Sequence, residues 1–376
     1  MSKINIEKLA NSGALRTKKY IPGKSKQEVE RELGLKDIIK LASNENPHGS
    51  SPFAGEALKG LAGKVNIYPD KVSTDLRRKL AELTGCREAE ITVGNGADGV
   101  IYNLGMAVID QEDEVIIPEV TFPVYEIITQ VMRGRVVYSK VRELRIDLPD
   151  ILAGITSKTK AIFLCNPNNP TGDTLPPQEL TAFFRQVPEE VLIILDEAYI
   201  DFTDKSLNPD SIGLFKGGLN NLFIIRTLSK AYGLAGIRVG YGIGPGELVS
   251  LVNQVKPPFD VSLIAEVAGL AALADSAFIQ ATLTHSIREK SYFYQELDKL
   301  KLKYVISHTN FILIDTGFDA SDIFDRLLSR GVIVRSAKGY NLDTCIRVTL
   351  GGHEENVRFF QALGEALKEA AAKGAF

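Results

Sequence analysis

Cysteine is scarce in this chain: Cys86, Cys165 and Cys345 are the only three in 376 residues. An odd, widely spaced set excludes a disulfide framework or a cysteine-rich metal site and reads as reduced core thiols. The four histidines, His48, His285, His308 and His353, never stand at metal-ligand spacing, so no metal is expected. No run of about 18 apolar residues occurs, and Met1-Ser2-Lys3-Ile4-Asn5-Ile6-Glu7 lacks the apolar segment of a secretory leader. No membrane association is expected, and a cytoplasmic location is. Charge of a single sign is missing too. The net charge is -3 with both signs interspersed, which offers nucleic acid no footprint.

What remains is an ordinary folded composition, 44% apolar and 24% charged, which excludes a disordered chain. The length exceeds one core and suggests two or three domains. From about residue 74 to 245, short apolar runs alternate with helical patterns. Strands are expected at Glu90–Val93, Glu114–Pro118, Arg135–Ser139, Lys160–Cys165, Val191–Leu195, Leu222–Arg226 and Arg238–Gly244. Val191-Leu192-Ile193-Ile194-Leu195 is apolar throughout, as a strand buried on both faces must be. A helix at Thr74–Leu83 closes at Gly85. The pattern predicts an α/β fold, a mostly parallel open sheet with helices on both faces.

After about residue 260 the pattern changes to long helices, Ser262–Leu273 and Ser276–Leu300. Short strands follow at Asn310–Asp315, Val332–Arg335 and Cys345–Thr349, with a last helix over about 354–371. The expected division is an N-terminal arm (1–41) packing with a small C-terminal α+β domain (261–376), and a large α/β domain (42–260) between them.

Gly94-Asn95-Gly96-Ala97-Asp98-Gly99 matches the G-x-G-x-x-G of dinucleotide-binding proteins, with Glu119 placed like a ribose-binding acid. That reading leaves the later motifs unexplained. The general physics is broader: glycines admit backbone N–H groups to a phosphate, and a helix N-terminus favours its charge.

Three segments each begin where a buried strand ends: Asn166-Pro167-Asn168-Asn169-Pro170-Thr171-Gly172, Asp196-Glu197-Ala198-Tyr199, and Ser229-Lys230-Ala231-Tyr232-Gly233-Leu234-Ala235-Gly236-Ile237-Arg238. Ligands of open α/β sheets bind outside the carboxyl ends of strands. Taken singly, a Ser-Lys is ordinarily solvated surface and a strand-end Asp is ordinarily a cap or turn residue. Together they supply what pyridoxal phosphate requires. Lys230 offers the amine, and Asp196 a carboxylate for the protonated ring nitrogen. A buried Asp is costly unless it meets a cation. Asn169 and Tyr199 suit the ring oxygen. Arg238, Ser229, Thr227 and the backbone N–H groups of Ala97 and Asp98 suit the phosphate. An aromatic of Thr121-Phe122-Pro123-Val124-Tyr125, Phe122 foremost, covers one ring face.

With these segments the chain resembles the class I/II, fold-type I aminotransferases, and within them the histidinol-phosphate aminotransferases. The likeness also runs through Tyr20-Ile21-Pro22-Gly23-Lys24, Leu41-Ala42-Ser43-Asn44-Glu45-Asn46-Pro47, Tyr68-Pro69-Asp70, Arg226-Thr227-Leu228-Ser229-Lys230-Ala231 and Cys345-Ile346-Arg347-Val348-Thr349. The resemblance implies that Lys230 holds pyridoxal 5'-phosphate as a Schiff base, with Asp196, Asn169 and Tyr199 on its ring. It implies that Arg347, with Arg335, Tyr20 and Asn44, takes the substrate, a small amino donor or a 2-oxo acid. It implies a homodimer in which Tyr68 reaches the neighbour's cofactor phosphate. Two departures stand out: Asp98-Gly99 replaces an acidic pair in the phosphate turn, and Gly351-Gly352-His353 replaces a Gly-Thr pairing. The implied activity is histidinol-phosphate transamination. An aromatic amino acid aminotransferase and a threonine-phosphate decarboxylase are the alternatives.

Overall fold

The computed structural model describes residues 4–19, 23–61 and 63–373. Seven strands make the main sheet: β1 (Ile91–Asn95), β2 (Glu114–Pro118), β3 (Arg135–Ser139), β4 (Thr159–Cys165), β5 (Leu192–Asp196), β6 (Leu222–Thr227) and β7 (Val239–Ile243). Their spatial order is β1-β7-β6-β5-β4-β2-β3. The pairs from β6 across to β3 are parallel, whereas β7 runs antiparallel to both β6 and β1. The reversal follows from the connection 228–238, which contains no helix and is too short for a parallel crossover.

Successive side chains along the central strands enter two separate cores. Ile193, Leu195, Leu222 and Ile224 pack on one face; Ile194, Phe163, Phe223 and Ile225 pack on the other. This period of two explains why the strands read as unbroken apolar runs. It also fixes the last residues: Asp196 continues the face of Ile194, and Thr227 that of Ile225. Helices α1 (Thr74–Thr84), α2 (Gly96–Val108) and α3 (Val124–Val131) flank the sheet. Gly85 ends α1 at φ 66°, a left-handed cap. Helix α2 starts directly at the end of β1, already at Gly96, so Gly99 in the phosphate turn does not delay it.

A second, antiparallel sheet contains β8 (Lys303–Tyr304), β9 (Phe311–Asp315), β10 (Arg335–Ser336) and β11 (Cys345–Thr349), in the order β8-β9-β11-β10. Helices α4 (Leu263–Leu273), α5 (Ser276–Lys299), α6 (Ala320–Ser329) and α7 (His353–Lys373) accompany it. Phe293, Leu297, Ile312, Val348, Phe359 and Leu363 are among its core residues. The strand expected over Val332–Arg335 is two strands. Val332–Ile333 pairs in parallel with Ile39–Lys40 of the arm, and Arg335 turns away to pair with Arg347 of β11. Residues Val29, Ile38 and Ala42 pack with Leu328 and Ile333. The earlier stretch Ser12–Arg16 lies against α3 instead, where a Cβ on Gly13 would come within 2.1 Å of the Gln130 carbonyl. Cys165 and Cys345 are buried, Cys86 is half-buried, and all three are free thiols. Among the described residues no single helix is long and apolar enough to cross a membrane.

Gly240 of β7 is where sheet and helix meet most closely: a Cβ there would lie 2.5 Å from the Ala97 nitrogen and 2.6 Å from the Gly96 carbonyl carbon. Backbone cannot give way as a side-chain tip does, so Gly240→Ala is expected to destabilise the fold by about 1–3 kcal/mol. Thermal unfolding checks this, and an unchanged Tm contradicts it.

Candidate active site

At the carboxyl ends of β4, β5 and β6 lies a cavity of about 270 Å³, walled by both sheets and by residues 42–45. It brings together Asn44, Ala97, Asp98, Phe122, Asn169, Asp196, Tyr199, Ser229, Lys230, Arg238, Arg335 and Arg347. Of the other residues singled out in the sequence, Tyr20 lies outside the described residues. Tyr68 does not line the cavity: it is 78% exposed and stacks on Phe259 at 4.6 Å between ring centroids.

Asp196 is buried where β5 ends. The Tyr125 hydroxyl donates to its Oδ2 at 2.6 Å and the Ala198 N–H to its Oδ1 at 3.0 Å. Burial pushes the carboxyl up to about 6 against the pull of these two donors, and the nearby Asp98 and Glu197 charges add to the rise. Among the described residues no cationic side chain forms an ion pair with it, and none is among the leading influences on it. Lys230 stands on the cavity wall, its Nζ donating to the Ser43 carbonyl at 3.3 Å. Burial, with the positive charge of Arg347, pushes its amine down to about 8. The Asn46 amide steadies this turn by donating to the carbonyls of Ala231 (3.0 Å) and Lys230 (3.4 Å).

The opposite end is built to receive an anion. Ala97 and Asp98, in the first turn of α2, line the cavity, so the positive end of that helix stands beside it. Thr227 Oγ1 donates to Ser229 Oγ at 3.0 Å, which leaves the Ser229 proton for a ligand. Arg238, at φ 64°, donates through Nη2 to Asp98 at 3.1 Å and through Nη1 to the Ala235 carbonyl at 3.2 Å. Gly96 makes room for this guanidinium, since a Cβ there would lie 2.6 Å from Nη2.

Arg347 enters from β11. Its Nη1 donates to Asn169 Oδ1 at 2.6 Å and its Nη2 to the Ala42 carbonyl at 2.7 Å, while its buried Nε has no partner. Bonding of the Asn169 oxygen leaves the amide NH2 as that residue's remaining polar group. Asn44 lines the cavity but spends its side chain locally: Nδ2 donates to the Tyr199 hydroxyl at 2.9 Å, and Oδ1 accepts from Thr349 at 3.1 Å. Burial raises the Tyr199 hydroxyl well above its usual range. Phe122 lies at the cavity edge, its ring edge-on to Tyr125 at 5.7 Å.

Pyridoxal phosphate fits these residues. An uncompensated buried acid matches a protonated ring nitrogen, and the hydroxyls, helix N-terminus and Arg238 match a phosphate. Three contributors were not given these roles from the sequence. Tyr125 reads as a core aromatic, and it is one, except for its hydroxyl. Ser43 and Ala42 act through backbone carbonyls, which carry no residue-type signal. Glu119, the candidate ribose acid, instead accepts from the Val141 N–H at 3.0 Å.

Comparison with known proteins agrees with this geometry. Residues 36–363 match the profile of the family described as aminotransferase class I and II, and the chain belongs to that family. It is 42% identical over 353 residues to a histidinol-phosphate aminotransferase of Moorella thermoacetica, covering 94% of this chain and 92% of that protein. A histidinol-phosphate aminotransferase 2 of Carboxydothermus hydrogenoformans is likewise 42% identical, covering 93% of this chain and 97% of its own. The crystal structure of the Sinorhizobium meliloti histidinol-phosphate aminotransferase in complex with pyridoxal-5'-phosphate superposes with a TM-score of 0.86 at 29% identity, covering 93% of this chain and 96% of that one. The architecture is thus the α/β, fold-type I arrangement expected from the sequence.

The raised Asp196 value has a measurable consequence in cofactor-free protein. Between the ordinary carboxyl value of 3.8 and about 6, the folded state holds a proton that the unfolded chain has released. Stability therefore falls as pH rises through that window and stays reduced above it. Asp196→Asn is expected to raise the Tm of cofactor-free protein at pH 7.5, by roughly 2 °C or more. The gain should shrink as pH is lowered below 6. A variant less stable than wild type at pH 7.5 would contradict the assignment.

Proposed function

We propose that this aminotransferase interconverts L-histidinol phosphate and 2-oxoglutarate with imidazole-acetol phosphate and L-glutamate, using pyridoxal phosphate. The observation that carries the cofactor reading is Asp196, a buried carboxylate with hydrogen bonds but no cation. The substrate reading is supported by the named relatives and by Arg347, whose buried unpartnered Nε suits an incoming anion.

Pyridoxal phosphate, when bound, supplies a ring that takes up the electron pair freed at the donor's Cα. The chain's own groups do the rest. Asp196 holds positive charge at the ring nitrogen, and Asn169 and Tyr199 donate to the ring oxygen. Phe122 covers one face of the ring. Ala97, Asp98, Ser229 and Arg238 hold the phosphate. Lys230 Nζ anchors the cofactor, and once free it removes the proton from the donor's Cα. A value near 8 lets the amine work as a base close to neutral pH. Arg347, assisted by Arg335, Asn44 and Tyr20, binds phosphate in one half-reaction and carboxylate in the other, since a guanidinium fork suits both.

We place the chain in the cytoplasm and divide it as arm 1–41, large domain 42–260 and small domain 261–376. We also propose a homodimer in which Tyr68 serves the partner's phosphate site. Its support is an exposed apolar surface shared by Val65, Ile67, Tyr68, Phe259 and Ile264, the kind of patch that marks an interaction site.

Absorbance titration of the pyridoxal-phosphate-loaded protein tests the substrate. L-histidinol phosphate is expected to bleach the visible band at far lower concentration than L-phenylalanine. The reverse order assigns an aromatic donor and overturns the substrate claim. Lys230→Ala is expected to lose both the visible band of the loaded protein and at least about 1000-fold in turnover. Normal turnover in that variant would sink the mechanism.

A further inference from the structure

Immediately behind Asp196 and Thr227, on the sheet face away from the cavity, sits an ion pair that the mechanism does not use. Glu197 is fully buried, and Arg226 is 21% exposed. Arg226 meets one carboxylate oxygen with both Nε, at 2.8 Å, and Nη2, at 2.7 Å. The Ser211 hydroxyl donates to the other oxygen at 2.6 Å. Strand alternation decides what this pair does. Asp196 and Thr227 face the cavity; their neighbours Glu197 and Arg226 face the opposite core, where Tyr241 lies across from Arg226 in register. The Glu197 N–H also donates to the Ile225 carbonyl at 2.8 Å, which extends the β5–β6 ladder past Asp196.

The geometry points to Glu197 and Arg226 as positioning residues: their pair clamps the ends of β5 and β6 and thereby sets the spacing between Asp196 and the Thr227–Ser229 hydroxyls. Those are the two anchors between which one rigid ligand must stretch, ring nitrogen at one and phosphate at the other. This inference rests on the cofactor reading above. Two donors of one planar guanidinium converging on a single oxygen, with Ser211 holding the other, suit such a task, because together they fix direction as well as distance. A buried ion pair is often no more stabilising than apolar residues of equal size, so stability alone is a weak reason for having one here.

A ligand that spans both anchors should feel the clamp, and a ligand that uses one should not. The probes are pyridoxamine 5'-phosphate, which needs no bond to Lys230, and inorganic phosphate as its competitor, both titrated into cofactor-free protein well below its Tm. Arg226→Lys is expected to weaken pyridoxamine phosphate about tenfold while the inhibition constant of inorganic phosphate stays within about twofold of wild type. Glu197→Gln keeps the side-chain shape and carries the same comparison should the lysine variant not fold. Equal weakening of both ligands, or of neither, would overturn the positioning role. Asp196→Asn in the same assay separates the two claims. If it leaves pyridoxamine phosphate unaffected, the cofactor reading itself fails, and the clamp with it.

Discussion

A negative charge at the end of an apolar strand is an unstable thing for a protein to hold. Asp196 is placed there by the alternation of β5, inside a sheet covered on both faces, and two hydrogen bonds do not replace the water it has lost. Much around it makes sense as a response to that constraint. Tyr125 keeps its place in the core and aims its hydroxyl at the carboxylate. Across the cavity, the α2 N-terminus and Arg238 provide the complementary positive end. The site is therefore polarised before any ligand arrives, and a molecule with a cationic ring and an anionic tail has one orientation in it.

The second organising element is the short segment 42–46, which belongs to neither sheet yet bonds to both. The Ala42 carbonyl accepts from Arg347, and Asn44 joins Thr349 of β11 to Tyr199 beside β5. The Ser43 carbonyl and the Asn46 amide hold the Lys230 turn. Lys230, Tyr199 and Arg347 are thereby referred to one stretch of backbone, and their relative positions do not depend on the long connections between the sheets.

Much of this was legible in the sequence, for identifiable reasons. Strands buried on both faces betray themselves as unbroken apolar runs, and polar residues at their ends are conspicuous by contrast. Hence Asp196, Asn169, Lys230 and Arg238 stood out and now share one cavity. The reversal of β7 was legible in principle from the helix-free connection before it. The split of Val332–Arg335 was not, because its partner Ile39–Lys40 lies almost 300 residues earlier in the chain. Tyr125 was hidden by its own burial, since a tyrosine on a core-facing helix differs from phenylalanine by one atom whose partner is set by tertiary structure. The carbonyls of Ala42 and Ser43 were hidden because any residue has one. Tyr68 shows the converse limit: motif position marked it for a site, while within one chain it faces outward onto Phe259.

The bond between Arg347 and Asn169 makes anion capture an exchange reaction. At rest two of the guanidinium's three nitrogens are engaged, and the third, Nε, has no partner. Both acceptors it holds are neutral oxygens, whereas a charged acceptor makes the stronger bond to a guanidinium. A phosphate or carboxylate arriving at Arg347 is therefore a rival of the Asn169 oxygen for the same guanidinium. One side chain, Asn169, thus links the arginine of the second sheet to the strand ends of the first.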